Sequence, residues 1–339
     1  FVFFTFGEIR NKLTIMAHPT KIIMGISLGD ANGVGLEIIL KIFEDRRMFD
    51  FFTPVLFGPR QVVQFHKTHF NRDTPLHFIS NLKKLNKSKL NLLEVPTEDY
   101  TVAFGQVDPL AGQIAIASLE AATEALENKS IHALVTAPIH KKSIQSEKFN
   151  FPGHTQYLAQ ALKGDALMLM VSDRLRVALV TDHIPVSEVS STITADSLRA
   201  KVQQFYHSLQ QDFGLVKPKI AVLGINPHAG DAGVIGEEDD TMILPLLETF
   251  QEEGKLIYGP YSADSFFGSG AVDEFDGVLA MYHDQGLIPF KTLSFGQGVN
   301  FTAGLSAVRT SPDHGTAFDI AGQGVAQTDS YKAALFAAK

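Results

Sequence analysis

The chain has 339 residues, of which 45% are hydrophobic, and its formal net charge is −8. This length suggests one large or two medium domains, and the acidic balance without a dense basic stretch argues against nucleic acid as a partner. The absence of cysteine excludes disulfides, thiolate zinc sites and iron–sulfur clusters. No apolar run approaches the ~20 residues needed to span a bilayer, and we expect no membrane partner and a cytoplasmic location.

The chain begins with an apolar segment, Phe1–Phe6, which is too short for the core of a signal peptide and has no basic residues before it. Met16 stands shortly before the first clear strand. We therefore predict that Met16 is the natural start and that residues 1–15 are not part of the fold.

The first predicted strand, Lys21–Leu28, is followed by a glycine-rich turn and by a helix that includes Ile38–Phe43. A glycine turn between a strand and a helix can present backbone N–H groups to an anion. However, the glycines at 29, 33 and 35 do not spell G-x-G-x-x-G, and no G-K-S or G-K-T follows. A tight turn without a ligand remains an equal alternative.

Further strands and helices alternate along the chain. Strands are predicted at 54–58, 76–79 and 91–95, and helices at 60–68 and 111–128. Four later apolar strands, at 132–135, 176–180, 220–224 and 278–282, are separated by helices near 156–162, 195–211 and 240–253. This alternation predicts an α/β fold with a parallel sheet covered on both faces.

A histidine follows each of those four strands: His140, His183, His228 and His283. Ligands bind beyond the carboxyl ends of the strands in such sheets, so we expect these imidazoles on one rim. His183, His228 and His283 come directly where a strand gives way to a loop, and three neutral imidazoles suit a divalent metal with open positions. A hydrogen-bonded loop residue is the alternative for any one of them.

Two aspartates stand beside these histidines in the sequence, Asp182 and Asp284. Each could orient a ring or approach the metal from its other side. Asp264 lies in Gly259–Phe267, a segment that we interpret as a turn entering a helix, and it is a candidate cap or site carboxylate.

Cations and amides supply candidate ligands for an anionic substrate. Lys291 and Arg309 are the cationic candidates, since a guanidinium can hold phosphate or carboxylate with two hydrogen bonds. A surface salt bridge is the alternative for Lys291. Asn300 follows a glycine-rich segment and could orient a hydroxyl or an amine. Thr155 is a possible N-cap for the helix that follows it, but capping does not explain the neighbouring His154.

Read together, these segments resemble the 4-hydroxythreonine-4-phosphate dehydrogenase family of vitamin B6 biosynthesis. The matching segments, in family order, are GDANGVGLEI, TAPIHK, FPGHTQYLA, VALVTDHIP, GINPHAGDAGVIGEE, GPYSADSFF, AMYHDQGLIPFK and GVNFTAGLSAVRTSPDHGTAFDIAG. The first loop departs from the family's usual GDPAGIGPE by lacking both prolines. Residues 331–339 are short for the family's last helix, so we expect a truncated chain.

The resemblance implies two sets of site residues. His183, His228 and His283 would bind a divalent metal (zinc, magnesium or cobalt), with Asp264 and Asp284 as candidates to support them. The implied substrate-binding residues are His154, Thr155, Lys291, Asn300 and Arg309. NAD or NADP is the implied cofactor, and the sequence does not assign the proton acceptor.

The resemblance also implies two α/β/α domains with a central cleft, as in isocitrate and isopropylmalate dehydrogenases. Residues 16–130 together with 300–339 would form a discontinuous first domain. Residues 131–299 would form a second domain that carries the metal-binding histidines and the dimer contacts. A homodimer with its site at the subunit interface is expected, and His154 is the residue expected to cross that interface.

The implied activity is the NAD-dependent and metal-dependent oxidation of 4-phosphooxy-L-threonine to 2-amino-3-oxo-4-phosphooxybutanoate. This product decarboxylates to 3-amino-2-oxopropyl phosphate on the way to pyridoxal or pyridoxine 5′-phosphate. Three alternatives remain open: a dehydrogenase of threonate or erythronate 4-phosphate, a zinc hydrolase that uses the same histidines to activate water, and a non-catalytic metal- or ligand-binding protein.

Overall fold

The computed structural model describes residues 21–146, 149–151, 153–294 and 296–339. The prediction that residues 1–15 are not part of the fold therefore concerns residues outside those described. The described chain forms the predicted α/β structure around one twelve-stranded sheet. Among these residues, no helix combines the length and apolar character that crossing a bilayer requires.

The strands are β1 Ile22–Ser27, β2 Phe52–Gly58, β3 Leu76–Ile79, β4 Leu90–Glu94, β5 Ala133–Thr136, β6 Leu167–Val171, β7 Arg176–Leu179, β8 Lys219–Leu223, β9 Leu256–Tyr261, β10 Gly277–Ala280, β11 Val299–Ala303 and β12 Val308–Pro312. The helices are α1 Gly35–Glu44, α2 Met48–Phe51, α3 Arg60–His69, α4 Pro109–Glu127, α5 Lys141–Ile144, α6 His154–Ala161, α7 Val189–Thr192, α8 Ala195–Gln211, α9 Leu244–Glu252, α10 Ala263–Gly268, α11 His283–Ser294 and α12 Asp329–Ala337. A π-helical turn, Asp239–Ile243, leads into α9.

The strands form two parallel groups that run in opposite directions. Their order is β3-β4-β2-β1-β5-β12-β11-β6-β7-β10-β8-β9. In this spatial order, the first group comprises β3, β4, β2, β1, β5 and β12, and the second group comprises β7, β10, β8 and β9. The strands within each group are parallel. Between them, β11 is antiparallel to β12 and β6, and β6 is antiparallel to β7. Three reversals in succession turn the second group around relative to the first.

This topology corrects the expectation that four histidines share one rim. His183, His228 and His283 follow strands of the second group, whereas His140 follows β5, which runs in the opposite direction. The His140 ring stacks on Phe318 with 5.0 Å between ring centroids. The common-rim argument therefore holds for the three predicted metal ligands and not for His140.

Alternate residues of the strands enter different hydrophobic cores. In β5, Ala133 and Val135 belong to a common core that continues along one face of the whole sheet, and Leu134 belongs to a separate first-group core on the other face. In β10, Leu279 joins the common core and Val278 joins a second-group core. Both faces of the sheet are covered, as the apolar strands predicted.

The two cores on that second face leave a gap over the middle strands. There Met170 of β6 joins the second-group core, while β6 and β11 pack apolar residues such as Leu169 and Phe301 on the common core. Thr310 also faces that side, because its Oγ1 donates to the Ala334 carbonyl of α12. By alternation, the residues between them, including Asn300 and Arg309, point into the gap.

Strand pairing bears on the division into domains, which remains a prediction. A boundary at residue 131 would assign β5 to the second domain. However, β5 pairs in parallel with β1 and β12 of the first group. A boundary that respects the sheet would therefore follow β5 rather than precede it.

The first glycine turn is a packed connection. Residues 29–40 are all buried, the Asp30 N–H donates to the Pro138 carbonyl at 2.9 Å, and the Val34 N–H donates to the Thr316 carbonyl at 3.0 Å. A Cβ at Gly33 would lie 2.9 Å from the Thr316 carbonyl oxygen, so only glycine permits this close approach. The turn thus has no room for a phosphate, and the ligand-free alternative is the correct one.

His66 gives a prediction about stability and pH. Its ring is fully buried, its Nε2 lies 2.8 Å from the Ala31 carbonyl, and burial lowers the pKa of His66 to about 4. Because the folded state disfavours the charged ring, stability is complete above the unfolded pKa of ~6.5 and is lost as the pH falls toward 4. We expect a loss of ~3 kcal/mol in the free energy of unfolding, measured by denaturant titration.

The control for this prediction is His66→Gln, which can keep a hydrogen bond to Ala31 but does not titrate. Its stability should fall less steeply between pH 6.5 and 4 than that of the unchanged protein. Identical pH profiles for the two proteins would show that His66 is not responsible.

Candidate active site

The gap between the first-group and second-group cores is a cleft lined by polar side chains. Its floor includes Met168 of β6, Asn300 of β11 and Arg309 of β12. Its walls come from the loops after β5 and β7, the start of α6, and Lys291 on α11. The cleft brings together all five predicted substrate-binding residues and one predicted metal ligand, His183.

Arg309 is the most buried charged group in this cleft, with 2% of its surface exposed. Its guanidinium donates to two neutral hydroxyls, Thr302 Oγ1 at 2.9 Å and Thr136 Oγ1 at 2.7 Å, and its Nε has no partner among the described residues. Burial lowers the pKa of Arg309 to about 9, which leaves it charged at neutral pH. A buried cation that bonds only to hydroxyls is costly, and an anionic ligand would offset that cost.

Three other polar atoms of the cleft also lack a hydrogen-bond partner among the described residues. Within the described chain, His154 Nε2, Asn300 Oδ1 and His314 Nε2 are buried without a hydrogen bond. Such atoms are rare in folded proteins and cost free energy when left unpaired. Their convergence on one cleft with Arg309 is the pattern expected of a ligand site.

His154 is held neutral at the edge of this cleft. Burial, and secondarily the charge of Arg309, lower the pKa of His154 well below its usual value. The neutral ring can donate or accept one hydrogen bond without adding charge. The ring lies in the same cleft as Arg309 of its own chain, and its place at a subunit interface stays a prediction.

Thr155 lines the cleft, but it does not cap α6. The helix begins at His154 with Gly153 in the N-cap position, and no side chain makes the capping hydrogen bond. Thr155 is the second helical residue, so the capping prediction is wrong and the position near a ligand stands. The positive end of the helix dipole lies at the same place.

Lys291 also lines the cleft, but unlike the buried Arg309 it is largely exposed. Its Nζ is 3.5 Å from Asp313 Oδ1, and 55% of its side chain is exposed. Burial raises the pKa of Asp313, while Lys291 opposes that rise. The ion pair that was the alternative for Lys291 is thus present. Because Lys291 also lines the cleft, its role in binding substrate stays a prediction.

Two of the predicted metal ligands are neighbours at the second-group side of the cleft. The rings of His183 and His283 have centroids 5.6 Å apart. His283 Nδ1 donates to Asp284 Oδ1 at 2.7 Å, which leaves Nε2 with its lone pair free for a metal. Asp182 accepts from the His183 backbone N–H at 2.6 Å, and its other oxygen is 3.7 Å from His183 Nδ1.

His228 lies apart from this pair. It is exposed on the loop after β8, near Asp264, which accepts from the Ser262 hydroxyl at 2.6 Å. That bond, the Ser265 N–H and the proximity of His228 lower the pKa of Asp264. In the part of the chain that the structure describes, no three His, Asp or Glu side chains are grouped closely enough to hold a metal.

The donor set nevertheless fits a divalent metal in kind. Two adjacent imidazoles, one with its Nδ1 fixed by a carboxylate, are the arrangement that presents Nε2 lone pairs to zinc or cobalt. The role of His228 as the third ligand remains a prediction that requires its loop to approach the other two.

The sequence interpretation missed several cleft residues. Thr136 and Thr302 hold the Arg309 guanidinium, and Met168 and Ser311 line the cleft. The only available signal was for Thr136, which directly follows an apolar strand in the same way as the histidines.

Comparison with known proteins places this site in context. A family model described as "Pyridoxal phosphate biosynthetic protein PdxA" matches residues 50–338. A 4-hydroxythreonine-4-phosphate dehydrogenase from Bacteroides thetaiotaomicron is 46% identical over 323 residues, which cover 95% of this chain and 89% of the relative. A relative from Oceanobacillus iheyensis, provisionally named a D-threonate 4-phosphate dehydrogenase, is 36% identical over 320 residues, with 93% and 96% covered.

A solved structure agrees with these sequence matches. The 4-hydroxythreonine-4-phosphate dehydrogenase from Klebsiella pneumoniae superimposes with a TM-score of 0.84 at 30% identity. The match covers 95% of this chain and 100% of that structure. The fold of the described residues is thus similar to that protein along its whole length.

Proposed function

The chain belongs to the PdxA family of pyridoxal phosphate biosynthetic proteins, and we propose that it oxidises 4-phosphooxy-L-threonine with NAD or NADP and a divalent metal. The substrate's C3 hydrogen leaves as hydride to the nicotinamide and the C3 hydroxyl loses a proton. The resulting 2-amino-3-oxo-4-phosphooxybutanoate loses CO₂ and takes up a proton at C2, which gives 3-amino-2-oxopropyl phosphate.

One observation carries this proposal: among the described residues, the buried and charged Arg309 bonds only to hydroxyls, in a cleft with further unpaired polar atoms. The substrate carries a phosphate and a carboxylate, and either one can accept hydrogen bonds from a guanidinium. A neutral substrate would leave the Arg309 charge without compensation. The cleft therefore favours a small, strongly anionic ligand.

The residues of this chain divide the work of binding. Arg309 and Lys291 hold anionic groups, and the neutral His154, Thr155 and Asn300 orient them by hydrogen bonds. His183, His228 and His283 would hold the metal, with Asp284 fixing the His283 ring. When bound there, a divalent metal supplies Lewis acidity that lowers the cost of deprotonating the substrate hydroxyl. The buried first glycine turn does not serve the cofactor's phosphates.

The name of one relative supports a second candidate substrate. The Oceanobacillus iheyensis protein is named for D-threonate 4-phosphate, which has a hydroxyl in place of the amine at C2. The same cations and the same metal would serve this substrate. Oxidation at C3 again gives a β-keto acid that loses CO₂.

The test is reduction of NAD, followed by absorbance at 340 nm, with each of the two phosphorylated substrates. We expect turnover with 4-phosphooxy-L-threonine that a chelator abolishes and added divalent metal restores. A clear preference for D-threonate 4-phosphate would select the second substrate. Hydrolysis without NAD reduction would indicate a zinc hydrolase, and binding without turnover of either kind would indicate a non-catalytic protein.

We also propose that the protein is a homodimer in which a second subunit covers the histidine region. Each predicted ligand is followed within a few residues by an exposed apolar side chain: Val186, Val234 and Ile288 are 76%, 80% and 64% exposed. Exposed apolar residues near a site are typical of an interface. Light scattering at assay concentrations tests this, and a mass near 37 kDa would contradict it.

A further inference from the structure

A chain of hydrogen bonds continues beyond the sheet and joins the ends of the three strands that precede the histidines. At the end of β7, the Thr181 N–H and Oγ1 both donate to the Met281 carbonyl, at 3.1 and 2.7 Å. At the end of β10, the Met281 N–H donates to Gln285 Oε1 at 2.7 Å. Gln285 Nε2 then donates to the Gly224 carbonyl at the end of β8, also at 2.7 Å.

Gln285 is the link in this chain that reaches from β10 to β8. It stands two residues after His283 on α11, and its partner Gly224 stands four residues before His228. Only a side chain that accepts on one side and donates on the other can make both bonds, and a carboxamide does so. These partners also fix the orientation of the amide. In the opposite orientation the side-chain NH₂ would face the Met281 N–H, and the side-chain oxygen would face the Gly224 carbonyl.

The helix that carries Gln285 is itself fixed against the sheet. A Cβ at Gly286 would lie 2.8 Å from a Leu179 methyl and 2.9 Å from a Val177 methyl. Helix α11 therefore packs closely on β7 and β10, and its first turn has little freedom to shift. Through its hydrogen bond to Gly224, Gln285 links this fixed helix to the end of β8, from which the His228 loop begins.

The His228 loop needs such an anchor at its base. All six residues 228–233 have positive φ, and four of them are not glycine: His228, Ala229, Asp231 and Ala232. Left-handed backbone at these residues is unfavourable and persists only when the surroundings hold it. Both anchors lie at the start of the loop: buried Asp239 accepts from the N–H groups of Ile225 and Asn226, and Gln285 donates to the Gly224 carbonyl.

We propose that Gln285 is a positioning residue that anchors the start of the His228 loop to the helix of His283, so that the loop can bring His228 to the divalent metal. The inference rests on the metal site proposed above. Gln285 itself is not a ligand in this proposal. It acts through the Gly224 carbonyl and thereby on the base of the loop that carries His228.

The experiment measures Co²⁺ binding to the metal-free protein by titration and by visible absorption, which reports the ligand geometry. In Gln285→Met both hydrogen bonds are lost without a change in charge or much change in size. We expect Co²⁺ affinity to fall tenfold to a hundredfold, the usual effect of removing a group that orients metal ligands. The visible spectrum should also change. The metal-free protein should lose some thermal stability, because the Met281 N–H and the Gly224 carbonyl lose their partners, so a control variant must separate this loss from the effect on the metal.

Gln251→Met is the matched control. Gln251 Nε2 also donates to a backbone carbonyl, that of Ile257 at 2.9 Å, but it lies on α9 and contacts none of the three strand ends. This variant should bind Co²⁺ with unchanged affinity and spectrum. Equal losses in both variants would mean that the effect is general destabilisation, and the proposal would be overturned.

Gln285→Glu separates the two hydrogen bonds and serves if Gln285→Met does not fold. A carboxylate still accepts from the Met281 N–H but cannot donate to Gly224. Its added negative charge would favour a cation, so weaker Co²⁺ binding supports the proposal strongly. Unchanged affinity and spectrum in the Gln285 variants would overturn it. His283→Ala tests the metal site separately, since full Co²⁺ affinity in that variant would instead disprove the site itself.

Discussion

Arg309→Met is expected to lower kcat/KM for 4-phosphooxy-L-threonine by roughly tenfold to a hundredfold, with little effect on the KM for NAD. A hydrogen bond to a charged group contributes ~1.5–3 kcal/mol, which corresponds to that range. The same change should leave the ligand-free protein equally stable or more stable. The reason is that the variant removes a buried charge whose hydrogen-bond partners, within the described part of the chain, are the Thr136 and Thr302 hydroxyls.

Arg176→Met is the control for this prediction. Arg176 is also partly buried and lies 4.8 Å from the Phe213 ring centroid, but it stands at the start of β7 and outside the cleft. Its loss should lower the melting temperature and leave kcat/KM unchanged. If Arg309→Met instead lost stability and kept its activity, Arg309 would be a structural residue rather than a substrate ligand.

Local signals in the sequence predicted those elements whose ends are determined by neighbouring residues. Helix α8 has the predicted bounds, Ala195–Gln211, because Thr194 and Ser197 form a capping box at its start. The alternation of apolar strands with helices likewise predicted the covered sheet. In these cases the residues that determine the secondary structure lie within a few positions of each other in the sequence.

No strand is predicted from the sequence at β11 or β12. Each has only five residues, and β12 carries three polar residues in succession, Arg309, Thr310 and Ser311. Asn300 and Arg309 lie on the face that forms the floor of the cleft. The strands were therefore hidden by the residues that make the site.

Helix α11 was also not predicted, since Gly286 and Pro289 disfavour a helix. Tertiary contact overrides this propensity, because Gly286 is the residue that allows α11 to approach Val177 and Leu179. His283 consequently begins a helix rather than a loop. The sequence correctly placed His183 and His283 at neighbouring strand ends, but it held no information on how far the His228 loop stands from them.

Removing a predicted metal ligand should have the largest effect on activity. His183→Ala, His228→Ala and His283→Ala should each weaken divalent-metal binding by roughly a hundredfold or more, since a full set of four ligands contributes ~10–16 kcal/mol to zinc binding. NAD reduction should fall in parallel, while the fold survives because none of the three residues belongs to a hydrophobic core.

Metal content after dialysis, measured by mass spectrometry, tests this prediction independently of activity. His207→Ala, on the remote α8, should retain the metal. Full stoichiometry in His183→Ala and His283→Ala would reject the site, whereas full stoichiometry in His228→Ala alone would leave a site built on the adjacent pair and would remove His228 from it.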